Sequence, residues 1–295
     1  MKIIFIHGRS QQGKDPDKLK KDWTKALLLG FEKIGQPYTQ PLNIEFPYYG
    51  NFLFEETNKA AQKNFQDLLE KGADFSSPNV QEEAFIRELV FEIAAQNGIT
   101  ESEINLEANG DLSKKGIQNW RAVLAALRLL NKIPNIGSAV IEQFTRDVWC
   151  YLTNKGVRMA VHDIVNEAFT DDEECIIVGH SLGSVVAYNI LMNKQSRSNI
   201  KKFITLGSPL GIKAIFERLP TDNPPRKAPS GISTWFNARD KQDVVALYEI
   251  PKDKYKGNPI VDNYNGVKNT SENRHGIVEY LSDPNVATEI RKCLL

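Results

Sequence analysis

Five residues, Gly179-His180-Ser181-Leu182-Gly183, follow an apolar run, Ile176-Ile177-Val178, and precede a helix-forming one, Ser184 to Met192. In that context G-x-S-x-G is the spacing of a nucleophile elbow. Small residues two positions either side of a serine let the backbone turn sharply from strand to helix and push the hydroxyl out above the sheet. The turn also sets the N–H of the next residue, Leu182, at a helix N-terminus, where it can receive an oxyanion. The same glycines would serve a purely structural turn, but the strand before them and the helix after them favour the chemical reading.

A serine hydroxyl is a poor nucleophile until a base takes its proton. On this motif the partners follow in the chain order serine, acid, histidine. Of four histidines only His275 lies beyond Ser181, in the polar stretch ENRHGIVEYLSDPNV ahead of a predicted closing helix, so the base falls to it by elimination. Only a neutral imidazole can accept the proton, so turnover is expected to rise with pH as that ring deprotonates. His162 precedes the elbow inside a predicted helix, and His7 and His180 are read as loop-shaping residues. The acid must orient the imidazole and stabilise its cation; ISTWFNARDKQDVVAL offers Asp240 and Asp243.

A second pattern opens the chain. In MKIIFIHGRSQQGKD, Gly8 to Lys14 has the G-x-x-x-x-G-K spacing of a phosphate-binding loop. That loop needs Ser or Thr next, to hold magnesium, and Asp15 stands there and would repel phosphate. The alternative is a buried strand, Ile3 to Ile6, ending in His7-Gly8 and a loop whose backbone N–H groups face an oxyanion. No second nucleotide motif is evident, and the oxyanion loop is the reading adopted.

Composition narrows the partners. The 295 residues, 41% hydrophobic and 25% charged, can bury the core of one large α/β domain or of a domain with an insertion. Lys plus Arg and Asp plus Glu number 37 each, so no net field draws nucleic acid, which is not expected as a partner. Cys150, Cys175 and Cys293 lack metal-ligand spacing and read as reduced core residues of an intracellular protein. No metal or organic cofactor is expected. The N-terminus lacks the pattern of a signal peptide, and no stretch reaches the roughly 18 uncharged apolar residues of a transmembrane helix. The expected location is cytoplasmic.

Around these residues the elements alternate. Pro16 to Gly35 has helical periodicity (Leu19, Trp23, Ala26, Leu27, Phe31), and LNIEFPYYG reads as a second strand, which makes a βαβ unit and a parallel sheet. From Asn51 to about Phe169 the pattern is helical, with helices expected to about Lys71, over 80–97, over 117–132, and between Ser138 and Phe169. ECIIVGH, KKFITL and GISTWFNARD resume the strands. Loops are expected over 220–231 and around 259–266, and a closing helix over 283–294. The fold class is α/β: a mostly parallel sheet flanked by helices, with residues 1–50 and 152–295 as the catalytic core and 51–151 as a helical cap or lid insertion.

Taken together, His7-Gly8, Gly179-His180-Ser181-Leu182-Gly183, TLGSPLG, DVVAL and RHGIVEYL resemble the α/β-hydrolase superfamily, and within it the bacterial lipase-like serine esterases. The resemblance runs over about 1–48 and 155–295; the insertion carries no motif of that family and falls earlier than its usual cap. It implies hydrolysis of carboxylic esters through an acyl-enzyme, with Ser181 as nucleophile, His275 as base and then acid, and Asp243 as the orienting acid. Asp243 is preferred to Asp240 because such sequences place the acid directly before a short apolar pair, here Val244-Val245. The resemblance also implies an oxyanion N–H from Arg9 or Ser10 beside that of Leu182.

The substrate is less defined. Tyr48, Tyr49 and Phe52 end the second strand near the site, where they line an acyl pocket or anchor the insertion; Tyr49 and Ser208 are carried forward as substrate-binding candidates. The apolar helix in WRAVLAALRLLNKIPNIGSAVI is a lid, a surface for transient lipid or membrane contact, or a helix packed on its neighbours. The substrate is thus a small-molecule or lipid ester. The same triad on an acyltransferase or amidase, or an inactive fold kept as an interaction module, are the alternatives.

Overall fold

The computed structural model describes the chain except for residues 62–79, 109–116, 134–136, 170–172, 194–198, 221–225, 272 and 295. Five consecutive buried residues form β1 (Lys2–Ile6). A strand apolar on both faces needs cover on both, and it has it. Ile3 and Phe5 enter one cluster with Trp23, Leu27, Tyr280 and Val286, while Ile4 and Ile6 enter another with Leu182, Val185, Phe144 and Leu89.

The loop after β1 leads into α1 (Pro16–Lys33), whose N-cap is Asp15, accepting the Asp17 N–H at 2.9 Å. Asp15, anomalous in a phosphate-binding loop, is thus a helix cap, and Pro16 occupies the first helical position, where its missing N–H costs nothing. β2 (Asn43–Glu45) then pairs with β1. The chain next runs through α2 (Gly50–Ala61), α3 (Val80–Gln96), α4 (Glu101–Glu107), α5 (Ile117–Asn131), α6 (Ser138–Thr153) and α7 (Lys155–Asn166). No strand occurs among the described residues of this segment; the part of the first expected helix beyond Ala61 lies outside them.

β3 (Cys175–His180), α8 (Leu182–Asn193), β4 (Ile200–Leu206), α9 (Lys213–Phe216), β5 (Ile232–Asp240) and β6 (Val261–Val267) follow, and α10 (Ile277–Leu281) and α11 (Pro284–Arg291) close the chain. The six strands are all parallel in the order β2-β1-β3-β4-β5-β6. The α/β-hydrolase fold class expected from the sequence is the one observed.

One expectation is corrected. Residues around 259–266, read as a loop, contain edge strand β6. Its residues Asp262 to Gly266 are polar or partly exposed, because its outer edge has no neighbour, so the apolar alternation that marks a strand is absent. It is held instead by its ladder with β5 and by polar pairing such as Asn237 Nδ2 to Asn263 Oδ1 at 2.9 Å.

The helices between β2 and β3 do not stand apart from the sheet. Helices α2, α3, α5, α6 and α7 share one core with α8 and one face of the sheet; α1, α10 and α11 cover the other. In α5, Ala122, Val123, Ala125, Ala126, Leu127 and Leu130 are buried, against α3, α4 and α6. Of the three readings of this helix, packing on neighbours fits its position. No described helix is long and apolar enough to cross a membrane.

Candidate active site

Strand order reverses at β1: the chain leaves it outward to β2 and later returns on its other side to β3. Loops after β1 and β3 therefore diverge and leave a crevice at the carboxyl edge of the sheet, where α/β proteins bind ligands. Ser181 closes β3 in this crevice, with φ of 55°, and is almost wholly buried. A left-handed conformation in a residue with a side chain is strained and persists only where its surroundings hold it. Ser181 N–H donates to Leu206 O at 3.0 Å, and Ser181 O accepts both the Ser184 N–H at 3.0 Å and the Ser184 hydroxyl at 2.6 Å.

Two glycines make the turn sterically feasible. A Cβ on Gly183 would overlap the carbonyl oxygens of Ile6 and His7. On Gly8 it would lie 2.6 Å from Ser181 Cβ and 3.1 Å from Ser181 Oγ. The β1 loop and the elbow are thus in direct contact, closer than two side-chain-bearing residues can come. Leu182 begins α8, so its N–H is among the helix's first four, which have no partner within the helix.

His275 reaches the site from the loop before α10. Its Nδ1 is 2.7 Å from Asp243 Oδ2, and the Asp243 side chain is fully buried. The other Asp243 oxygen accepts the N–H groups of Val245 at 2.8 Å and Ala246 at 3.4 Å. Asp240 faces elsewhere: it accepts from Gln242 N–H at 2.8 Å and Asn269 N–H at 2.7 Å, shaping the turns on either side. With Nδ1 as the donor to a carboxylate, Nε2 is left with its lone pair. Among the described residues, His275 Nε2 and Ser181 Oγ are both buried without a hydrogen-bond partner. Both residues line a cavity of about 440 Å³, with Arg9, Ser10 and Gln11 of the β1 loop, Leu19 and Trp23 of α1, and Val140 of α6 among its walls.

The two histidines inside motifs are structural. His7 is fully buried; Nδ1–H donates to Gly8 O at 2.7 Å and Nε2 accepts the Tyr49 N–H at 3.1 Å. Both nitrogens are used in the neutral form, and burial lowers its pKa from 6.5 to about 4. His180 Nε2–H donates to His275 O at 2.9 Å and its ring stacks on that of His275, with centroids 4.6 Å apart. Burial likewise pushes the His180 pKa well down, so the ring beside His275 stays uncharged. His162 lies in α7, its Nε2 2.8 Å from Tyr151 Oη.

Tyr49 and Ser208 are not on the cavity wall. Tyr49 is buried behind the β1 loop, where its hydroxyl donates to His7 O and its ring stacks on His7 at 4.0 Å. It anchors the start of the insertion, as Tyr48 does by donating to Gln11 O at 2.6 Å. Ser208 lies beneath the elbow. Its hydroxyl is 2.7 Å from Ser184 Oγ, whose own proton goes to Ser181 O, so Ser208 is the donor. Their positions in sequence, next to strand ends, suit the site, but their side chains point into the protein.

Sequence reasoning missed four contributors. Asp147 of α6 accepts from Arg9 Nε at 3.0 Å, a pair in which the side chains are 8% and 6% exposed. Burial raises the Asp147 pKa and lowers that of Arg9, and their mutual attraction opposes both shifts. Val140 and Gln143, also on α6, line the cavity. The fourth is Tyr280, whose hydroxyl donates to Asp243 Oδ2 at 2.7 Å. Gly13 N–H, which a phosphate-binding loop would turn toward phosphate, donates instead to Asn51 Oδ1 at 2.7 Å. No group of three His, Cys, Asp or Glu able to hold a metal ion occurs among the described residues.

No curated protein and no solved structure matches the chain. Residues 151–221, which run from the end of α6 through the elbow to beyond α9, match the family model of the PGAP1-like alpha/beta domain. The segment around Ser181 is therefore similar to that domain, on an α/β-hydrolase fold.

Proposed function

We propose that this chain hydrolyses carboxylic esters through an acyl-enzyme on Ser181. The observation that carries the reading is the His275–Asp243 contact of 2.7 Å, with the unpartnered atoms His275 Nε2 and Ser181 Oγ on one cavity wall. His275 Nε2 takes the serine proton as Oγ attacks the ester carbonyl; Asp243 holds the ring in the Nδ1–H form and stabilises the imidazolium. The new oxyanion receives the Leu182 N–H and an N–H of Arg9 or Ser10. Protonated His275 then gives its proton to the leaving alcohol, and water repeats the sequence to free the acid.

In this reading 1–50 and 152–295 form the catalytic core, and 51–151 is an insertion that supplies one wall of the site. Leu19, Trp23, Val140, Ile277 and Val278 give the cavity an apolar side suited to an acyl chain, and Gln11, Lys14 and Asn273 a polar one. Tyr49 and Ser208 support the β1 loop and the elbow. An alcohol or amine in place of water would make the same acyl-enzyme a transferase.

The test is hydrolysis of p-nitrophenyl esters from acetyl to palmitoyl by the protein and by Ser181→Ala in parallel. Turnover in the unmutated chain alone supports the reading, and its chain-length optimum measures the acyl site. Equal rates in the two proteins would end it. Faster product release on adding an alcohol, with formation of a new ester, would assign acyl transfer.

A further inference from the structure

Asp243 is shared. Its Oδ2 accepts from His275 Nδ1 at 2.7 Å and from the Tyr280 hydroxyl, also at 2.7 Å. The same hydroxyl accepts the Asp240 backbone N–H at 3.0 Å. A chain of hydrogen bonds thus runs from the end of β5 through the phenol of α10 to the carboxylate oxygen that faces the imidazole. Tyr280 is fully buried, with its ring 6.0 Å from that of His180. The phenol is no candidate for proton transfer: burial raises its pKa well above 10, and the charges of Asp243 and Asp240 add to that.

We propose that Tyr280 is a positioning residue for the reaction, acting through Asp243: it fixes Oδ2 toward His275 and divides that oxygen's hydrogen-bonding capacity between phenol and imidazole. This rests on the triad reading given above. A carboxylate oxygen with a second strong donor holds an imidazolium less tightly, because part of its charge is already satisfied. Removing the phenol donor would leave more of the carboxylate's charge to the imidazolium. The groups facing the pair are Asp240 and Tyr280 on the acid side, and His180, kept neutral by burial, against the imidazole. Asp240 accepts the Gln242 and Asn269 N–H groups and, as a carboxylate, has no proton to offer Asp243 in place of the phenol's.

Tyr280→Phe keeps the ring and removes only the hydroxyl. Expected results are an acidic limb of the kcat/KM profile moved up by about half a pH unit, and a plateau rate lowered less than about fivefold. The Nδ1 proton resonance of His275, identified by its loss in His275→Gln, should move further downfield. In an Asp243→Asn background, where the amide favours the Nε2–H tautomer, that resonance should be absent with or without Tyr280→Phe. The resonance is read without substrate, so it tests Tyr280 even if no ester is turned over; absent turnover would sink the esterase reading alone. If Tyr280→Phe does not fold, labelling the whole chain with 3-fluorotyrosine, a stronger donor of similar shape, should move the resonance the opposite way. An unmoved resonance and unmoved acidic limb, with only lowered stability, would overturn the proposal and leave Tyr280 a packing residue.

Discussion

On one side of Ser181 the loop after β1 is tied down by charge, with Arg9 paired to Asp147 across the sheet-facing side of the insertion. On the other side the His275 loop is tied by neutral donors to one anion, Tyr280, Val245 and Ala246 around Asp243, and by the stacked His180. The difference matters because a buried ion pair has cancelling terms: attraction roughly offsets the water both partners lose, yet removing one partner strands the other. On the acid side Asp243 has several neutral donors, so loss of one leaves the rest. The side of the β1 loop is the brittle one, and it depends on α6; the side of His275 is graded and depends on the closing segment.

If the triad reading holds, the largest effects lie at the reacting groups. Ser181→Ala and His275→Ala should each lower kcat by about 10⁴-fold or more with the fold retained, checked by circular dichroism. Asp243→Asn should cost about 10²–10⁴-fold, since the amide stabilises the wrong imidazole tautomer. A wild-type rate in any of the three would break the comparison at its centre.

The ion pair comes next. Asp147→Asn leaves Arg9 charged and buried, and should destabilise the protein by about 3–5 kcal/mol, read by urea unfolding. Arg9→Met with Asp147→Leu should recover most of that stability. If the double variant also recovers full turnover, the charge pair has no part in shaping the β1 loop.

His7 gives a smaller effect with a definite sign. Its pKa is near 6.5 in the unfolded chain and about 4 in the fold. Above 6.5 neither state is protonated and nothing is lost. Between 6.5 and about 4 the unfolded chain binds a proton that the fold refuses, so stability falls with pH by about 3 kcal/mol in total. His180 acts in the same direction, so the His7 share is the part of the acid-side slope missing in His7→Asn. An unchanged slope would mean that the ring titrates alike in the folded and unfolded chain. Smallest of all, Tyr49→Phe should cost about 1 kcal/mol, the value of one hydrogen bond to His7 O.

The elbow was legible in the sequence because everything it needs is local: an apolar strand, glycines at fixed offsets and a helix start lie within about twenty consecutive residues. His275 was legible for a different reason, since chain order left one histidine. Asp243 was preferred to Asp240 on the resemblance alone, and the fold adds which groups each carboxylate faces. Three residues apart on one turn, they differ only in which N–H groups and which imidazole lie opposite, and that depends on where β6 and α10 pack. β6 was hidden because an edge strand with one paired side does not need apolar alternation.

Sequence by itself determined the α/β order and the sharp strand-to-helix turn at Ser181, because short-range periodicity and steric demand are written in neighbouring residues. Only the tertiary structure decided that Asp147 meets Arg9, that α6 walls the cavity, that Tyr49 and Ser208 turn inward, and that Tyr280 shares the carboxylate. Those contacts join residues far apart in the chain, and no local pattern encodes which buried polar group will find which partner once water is excluded.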